Sequence, residues 1–169
     1  RFVDGRPVLT SIDSITVPNS HSYWVSPNDA RSELNTYAPP GKYDSVFVHW
    51  MRCDMNTGQC VPSYGWGWGM QASGWSNGAT YATVTNAEDW MWELPTVGEV
   101  WLHEWLHGAS PFYKSLGYPQ PDGDADGGSS HGYVASSTEG WAAYYRDLMT
   151  GQVWEPSLNA YTGITSQAW

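Results

Sequence analysis

The sequence predicts a single α+β domain, and three observations lead there. Its 169 residues suffice for one domain with a real core and are too few for two comfortable ones. With 41% apolar and 14% charged residues, the chain does not have the composition of a disordered one. The order of elements is helix, strand, Trp-rich loop, strand and then two helices, without internal repeat or linker. That order suits α+β layering better than a repeating βα unit.

The first 25 residues mix short apolar stretches with Gly, Pro and Asn and read as loop with at most one strand. Ser26-Pro27-Asn28-Asp29 opens a helix expected to reach Tyr37, with Ser26 as N-cap, Pro27 at the first helical position and acid in the first turn. Pro39-Pro40-Gly41 stops it. The β-branched and aromatic run from Tyr43 to Trp50 reads as a buried strand, and residues 79–85 return to strand composition. Between them, Trp66-Gly67-Trp68-Gly69 alternates Gly with large rings, which excludes a helix and reads as loop.

Charge excludes one class of partner. Seven Lys+Arg against 17 Asp+Glu give a net charge of −10, so no basic face exists to bind a phosphate backbone, and no nucleic-acid partner is expected. There is no run of eighteen apolar residues, hence no expected membrane span, and the start carries neither an initiator Met nor a signal-peptide core. Cys53 and Cys60 lie in one Gly-containing loop at a spacing that can close a small disulfide ring. A processed, secreted, monomeric protein is therefore expected.

The chemistry concentrates further on. Thr96-Val97-Gly98-Glu99 is a capping box that opens an apolar helix expected to stop at Gly108. His103 and His107 fall at i and i+4 on one face of that helix, so two imidazoles can reach one ion, while Glu104 points beside it. His103-Glu104-Trp105-Leu106-His107 matches H-E-x-x-H, in which two neutral imidazoles bind Zn²⁺ and the carboxylate takes a proton from activated water. A catalytic zinc site needs a third protein ligand. A metzincin continuation is excluded, because Ser110 and Tyr113 stand where its Gly and His would be. Residues 136–149 read as a second helix with Glu139 in its first turn, and a carboxylate projecting from there would complete the shell. His131 is the main alternative third ligand, and the aspartate cluster at 122, 124 and 126 comes after it. Ser136 to Glu139 is also a capping box, so Glu139 has a purely structural use as well.

Asp122-Gly123-Asp124-Ala125-Asp126-Gly127 reproduces the first half of a calcium loop, with Asp122, Asp124 and Asp126 as candidate Ca²⁺ ligands. The second half is missing, since Tyr133 takes the place of the bidentate Glu, and a complete EF-hand is excluded. Twelve tryptophans exceed what a core of this size ordinarily holds. Trp66, Trp68 and Trp75, with Tyr81 on the following strand, are candidate substrate contacts. Flat indole faces suit stacking on proline, aromatic or sugar rings, so a polypeptide that is proline-rich or glycosylated is the expected partner.

The pair His103-Glu104-x-x-His107, followed by Tyr133 and then Glu139-x-Trp141-Ala142-x-x-Tyr145, resembles the anthrax-lethal-factor-like branch of the gluzincin metallopeptidases. The resemblance implies a compact zincin-like fold: a small mixed sheet with a backing helix, an active-site helix and a downstream glutamate helix. It implies Glu139 as third zinc ligand, Tyr133 as hydrogen-bond donor to the oxyanion, and a cleft rim formed by the strand preceding the active helix, with the tryptophans near its mouth. The expected function is that of a secreted zinc endopeptidase with Glu104 as general base. The alternatives are a Trp-rich glycan- or protein-binding module with a structural or degenerate metal site, and a zinc amidase acting on non-peptide amides.

Overall fold

The architecture is built around one central strand. The computed structural model describes residues 24–50, 57, 65–69, 74–85 and 98–168, with backbone alone for Trp66 and Thr85. Strands β1 (Ser45–Trp50), β2 (Trp66–Gly69) and β3 (Thr80–Thr85) form a mixed sheet in the order β1-β3-β2. β3 pairs parallel with β1 (Tyr81 opposite Val46) and antiparallel with β2 (Tyr81 opposite Trp68). Helix α1 (Arg31–Tyr37) backs one face of the sheet, where Val25, Ala30, Leu34, Val46 and Tyr81 form a buried cluster. Ser26 and Asp29 cap each other reciprocally, Asp29 accepting from the Ser26 amide at 2.8 Å and Ser26 Oγ from the Asp29 amide at 3.2 Å. The helix itself begins only at Arg31, later than Ser26.

The other face takes helix α2 (Glu99–Ser115), which carries His103, Glu104 and His107. Three consequences of this contact overturn expectations from sequence. Residues 66–69 are a strand rather than a loop, because Gly67 and Gly69 face the helix backbone: a Cβ on Gly67 would stand 1.8 Å from the Glu104 carbonyl oxygen, and one on Gly69 the same distance from that of Gly108. Alternation then turns Trp68 to the opposite face. Second, α2 runs through Gly108, whose role is to admit Trp68 of β2 (a Cβ there would lie 2.7 Å from the Trp68 carbonyl oxygen), and it ends before Gly117, which adopts φ +94°. Pro111 lies inside the helix. Third, β3 is the interior strand, so among the described residues the sheet edge beside α2 is β2.

After α2 the chain makes two short 3₁₀ turns, Asp124–Asp126 and Ser129–His131, then helix α3 (Ala142–Thr150) and the hairpin β4 (Val153–Glu155) and β5 (Ala160–Thr162). A second core, Leu106, Ala109, Ala125, Tyr144, Tyr145, Leu148, Val153 and Ile164, locks these to the inner side of α2. Fully burying Leu106, Leu148 and Ile164 contributes about 1.5–3 kcal/mol each. The second helix starts six residues later than its sequence suggests. Ser136 Oγ captures the amides of Thr138 and Glu139, Gly140 turns at φ +53°, and Glu99 on α2 accepts the Trp141 amide at 2.9 Å, so a carboxylate from another helix fixes the residue that precedes α3. Cys53, Cys60 and Thr96 lie outside the described residues. No helix among the described residues is long and apolar enough to cross a membrane.

Substituting Gly67→Ala forces a methyl group into the Glu104 carbonyl, and overpacking of this kind costs about 1–3 kcal/mol or more. Urea unfolding of that variant is expected to show at least this loss, whereas Gly74→Ala, with nothing within 4 Å of its added Cβ, leaves the midpoint nearly unchanged.

Candidate metal centre

One helical turn apart, the imidazoles of His103 and His107 are turned Nε2 to Nε2, with 3.1 Å between those atoms. A four-coordinate ion about 2.0–2.1 Å from each nitrogen would hold them roughly 3.3 Å apart. Each ring is fixed from behind through its Nδ1. That of His103 stands 2.8 Å from the buried Tyr145 hydroxyl on α3, and that of His107 stands 2.7 Å from Asp124 Oδ1. With the hydrogen on Nδ1 the lone pair on each Nε2 faces the shared space, the tautomer that metal binding requires.

A third donor enters from the 3₁₀ turn. Asp126 Oδ1 is 3.5 Å from His103 Nε2, and Asp126 Oδ2 is 3.8 Å from His107 Nε2. His103, His107 and Asp126 form the single group among the described residues whose donor atoms all lie close enough together to hold a metal ion. The Asp126 side chain is 72% exposed, which leaves the outer side of the centre open to solvent.

Glu104 sits beside this triangle and is only 7% exposed. Gly65 covers it, since a Cβ there would fall 2.3 Å from Glu104 Cγ. Burial pushes the Glu104 carboxyl up to about 7; His107 pulls it down and Asp126 raises it further. Burial, and then the neighbouring His107, lower the pKa of His103. Burial also lowers that of His107, but the hydrogen bond and charge of Asp124 outweigh it and leave the pKa raised. A group that is neutral up to near pH 7 and ionised just above is suited to proton transfer at neutral pH.

No protein-family model, curated protein or solved structure matches the chain. Function therefore rests on the site itself.

The structure brings together only some of the residues singled out by sequence. His103, Glu104 and His107 share one place as expected. Asp124 and Asp126 join them; the Asp122 side chain is exposed, and no group of three carboxylates converges among the described residues. Glu139 is exposed in the 136–140 turn and does not belong to the ligand group, because it precedes α3 instead of projecting from it. The alternative, His131, is engaged elsewhere, its ring nitrogens 3.1 Å from the Trp154 carbonyl oxygen and 2.9 Å from that of Asp122. Tyr133 directs its hydroxyl at Asp147 Oδ2, 2.8 Å away, and packs edge-on against Tyr144, so it is not placed as an oxyanion donor. Tyr81 is 0% exposed and donates to the Val25 carbonyl, which removes it from any substrate surface. Trp68 is exposed and meets Trp75 edge-on at 6.3 Å, on the face of β2 turned away from the helix; the Trp66 side chain is outside the described set. Tyr145 is the partner that the sequence does not single out for the site, because it reads as a core residue from its apolar spacing. Asp126 belongs to the aspartate cluster that stands behind Glu139 and His131 as a source of the third ligand, and it reads first as part of a calcium loop.

The raised Glu104 pKa has a stability consequence with a definite sign. Between its ordinary value, near 4.5, and about 7, the folded protein binds a proton that the unfolded chain has released, so stability falls as pH rises through that window. Glu104→Gln mimics the neutral acid. In metal-free protein its stability relative to wild type is expected to grow between pH 4.5 and 7, by up to about 3 kcal/mol, and then level off; a difference independent of pH in paired urea titrations would show that Glu104 is not perturbed.

Proposed function

We propose that the protein is a zinc-dependent hydrolase of amide bonds, in the first instance a secreted endopeptidase, in which His103, His107 and Asp126 hold the ion and Glu104 is the general base. The observation that carries this reading is the Nε2 pair at 3.1 Å with Asp126 oxygens 3.5 and 3.8 Å from it, each imidazole oriented from its far nitrogen. Three such edges approximate one face of a tetrahedron and leave the fourth position open, which is the pattern of catalytic rather than structural zinc sites. Zinc would supply Lewis acidity at a substrate carbonyl. The chain's own contribution is proton handling: Glu104 accepts a proton from the attacking water and returns it to the leaving nitrogen. A structural site has no use for a buried, unligated carboxylate of this kind, and that favours the enzyme over a binding module.

The gluzincin resemblance enters here in altered form. Its two distinctive residues, Glu139 and Tyr133, stand away from the histidines, whereas the His-Glu-x-x-His element stands at the centre of the site. A mixed sheet, a backing helix and an antiparallel edge strand lying along the active helix support a zincin-like layout with an aspartate in place of the glutamate ligand. β2 is then the strand that an extended polypeptide would meet, with Trp68 and Trp75 on the other side of it.

Zinc content and casein digestion, measured on the same preparations, test the proposal. Wild type is expected to hold one equivalent of Zn²⁺ and cleave. Glu104→Ala should keep zinc and lose activity by at least 100-fold, Asp126→Ala should lose zinc affinity, and Glu139→Ala should retain both. Equal cleavage by wild type and Glu104→Ala would sink the enzyme; zinc retained by Asp126→Ala and lost by Glu139→Ala would restore the glutamate ligand.

A further inference from the structure

The acidic turn that supplies Asp124 and Asp126 rests on α2 through buried Ala125 and the Asp124–His107 contact, and it is also anchored at its start, on the side away from the helix. Behind it lies a cluster that the proposed chemistry does not use. The side chains of His131 and Glu155 are 4% and 5% exposed, with His131 Nε2 3.6 Å from Glu155 Oε2. Burying two ionisable groups is costly unless their hydrogen-bonding capacity is filled, and here it is filled mainly from the backbone. Glu155 accepts the Asp122 amide at 3.0 Å and the Ser157 amide and hydroxyl at 3.0 and 2.7 Å. The Asp122 amide, and then the two Ser157 donors, hold the Glu155 carboxyl down at about 2. His131 meets the carbonyl oxygens of Asp122 and Trp154 at 2.9 and 3.1 Å. Carbonyl oxygens only accept, so a ring nitrogen of His131 that carries hydrogen donates to the carbonyl it faces. The ring stacks at 7° on Tyr144, whose hydroxyl donates to the Asp124 carbonyl, and Gly127 admits the Asp122 carbonyl, the Tyr144 hydroxyl and the His131 ring to the same point.

We propose that His131 and Glu155 are positioning residues for the metal centre: they grip Asp122 by its N–H and its C=O and so set where the following 3₁₀ turn delivers Asp124 to His107 and Asp126 to the shared space between the histidines. The inference deepens the metal-centre proposal and rests on it. Asp122 is joined to Asp126 by a tight turn, with the Asp126 amide on the Gly123 carbonyl at 2.8 Å, so displacement of residue 122 carries directly to the ligand. His131, weighed from sequence as a third ligand, thus acts one layer further out.

The test is Zn²⁺ affinity of the full chain by competition with a chromophoric chelator, read with near-UV circular dichroism of the metal-free proteins. His131→Gln and Glu155→Gln are expected to stay folded and bind Zn²⁺ about 10–100-fold more weakly. Tyr161→Ala, on the exposed face of the same hairpin, should bind within twofold of wild type. Wild-type affinity in either folded His131 or Glu155 variant overturns the positioning role alone. No Zn²⁺ binding by wild type overturns the metal centre as well. Should the variants not fold, hydrogen exchange of the wild type decides: an Asp122 amide protected as well as that of Val153 supports the grip, and an unprotected one overturns it.

Discussion

The approach of β2 to α2, with backbone almost touching backbone, governs the rest of the molecule. Gly67 and Gly69 on the strand and Gly108 on the helix remove every side chain that would keep the two apart. The strand is thereby drawn across Glu104, with Gly65 closing over the carboxylate, and the low exposure that raises its pKa follows from this contact. Wider spacing would hydrate Glu104 and return it to an ordinary surface acid, ionised well below neutrality.

The helix contributes His103, Glu104 and His107, and the C-terminal third of the chain orients the two imidazoles. Tyr145 fixes one imidazole, Asp124 the other, and Asp126 joins both, while Glu99 ties the start of α3 to the start of α2. These partners come from separate segments, so the centre exists only when the second hydrophobic core has formed between them. Stability and site geometry are coupled there, and Tyr145 serves both, as a buried core residue and as the partner of His103.

Much of this was legible in the residues. Strands 45–50 and 80–85 follow from β-branched and aromatic runs, and the helical face of His103 and His107 follows from their spacing. The failures share a cause: each concerns a residue whose role depends on what packs against it. Gly108 looks like a helix stop because glycine usually ends helices, yet here it admits a strand. Alternating Gly and Trp resembles a loop because sequence alone gives no reason for a strand with one bare face. Ser136 and Glu139 look like the start of a helix, and the hydroxyl does take the Glu139 amide, but Gly140 and Glu99 move the helix start beyond it. Asp-Gly repeats suggest calcium because their usual ligand set is local, and the contacts of Asp124 and Asp126 with the histidines of α2 depend on packing that the repeat does not encode. Tyr81 appears available on a strand until the strand proves to be interior.

The two-residue alternation of β2 also acts as a lock on register. If the strand slipped by one residue along β3, Trp68 would turn toward α2 and its neighbouring glycines away from it. No indole fits where even a methyl group is excluded, so the slipped pairing cannot close onto the helix at all. Edge strands are ordinarily the part of a sheet most prone to shift or to recruit foreign strands. In this protein the strand beside Glu104 admits one alignment, and a misaligned chain would be left visibly open instead of nearly correct.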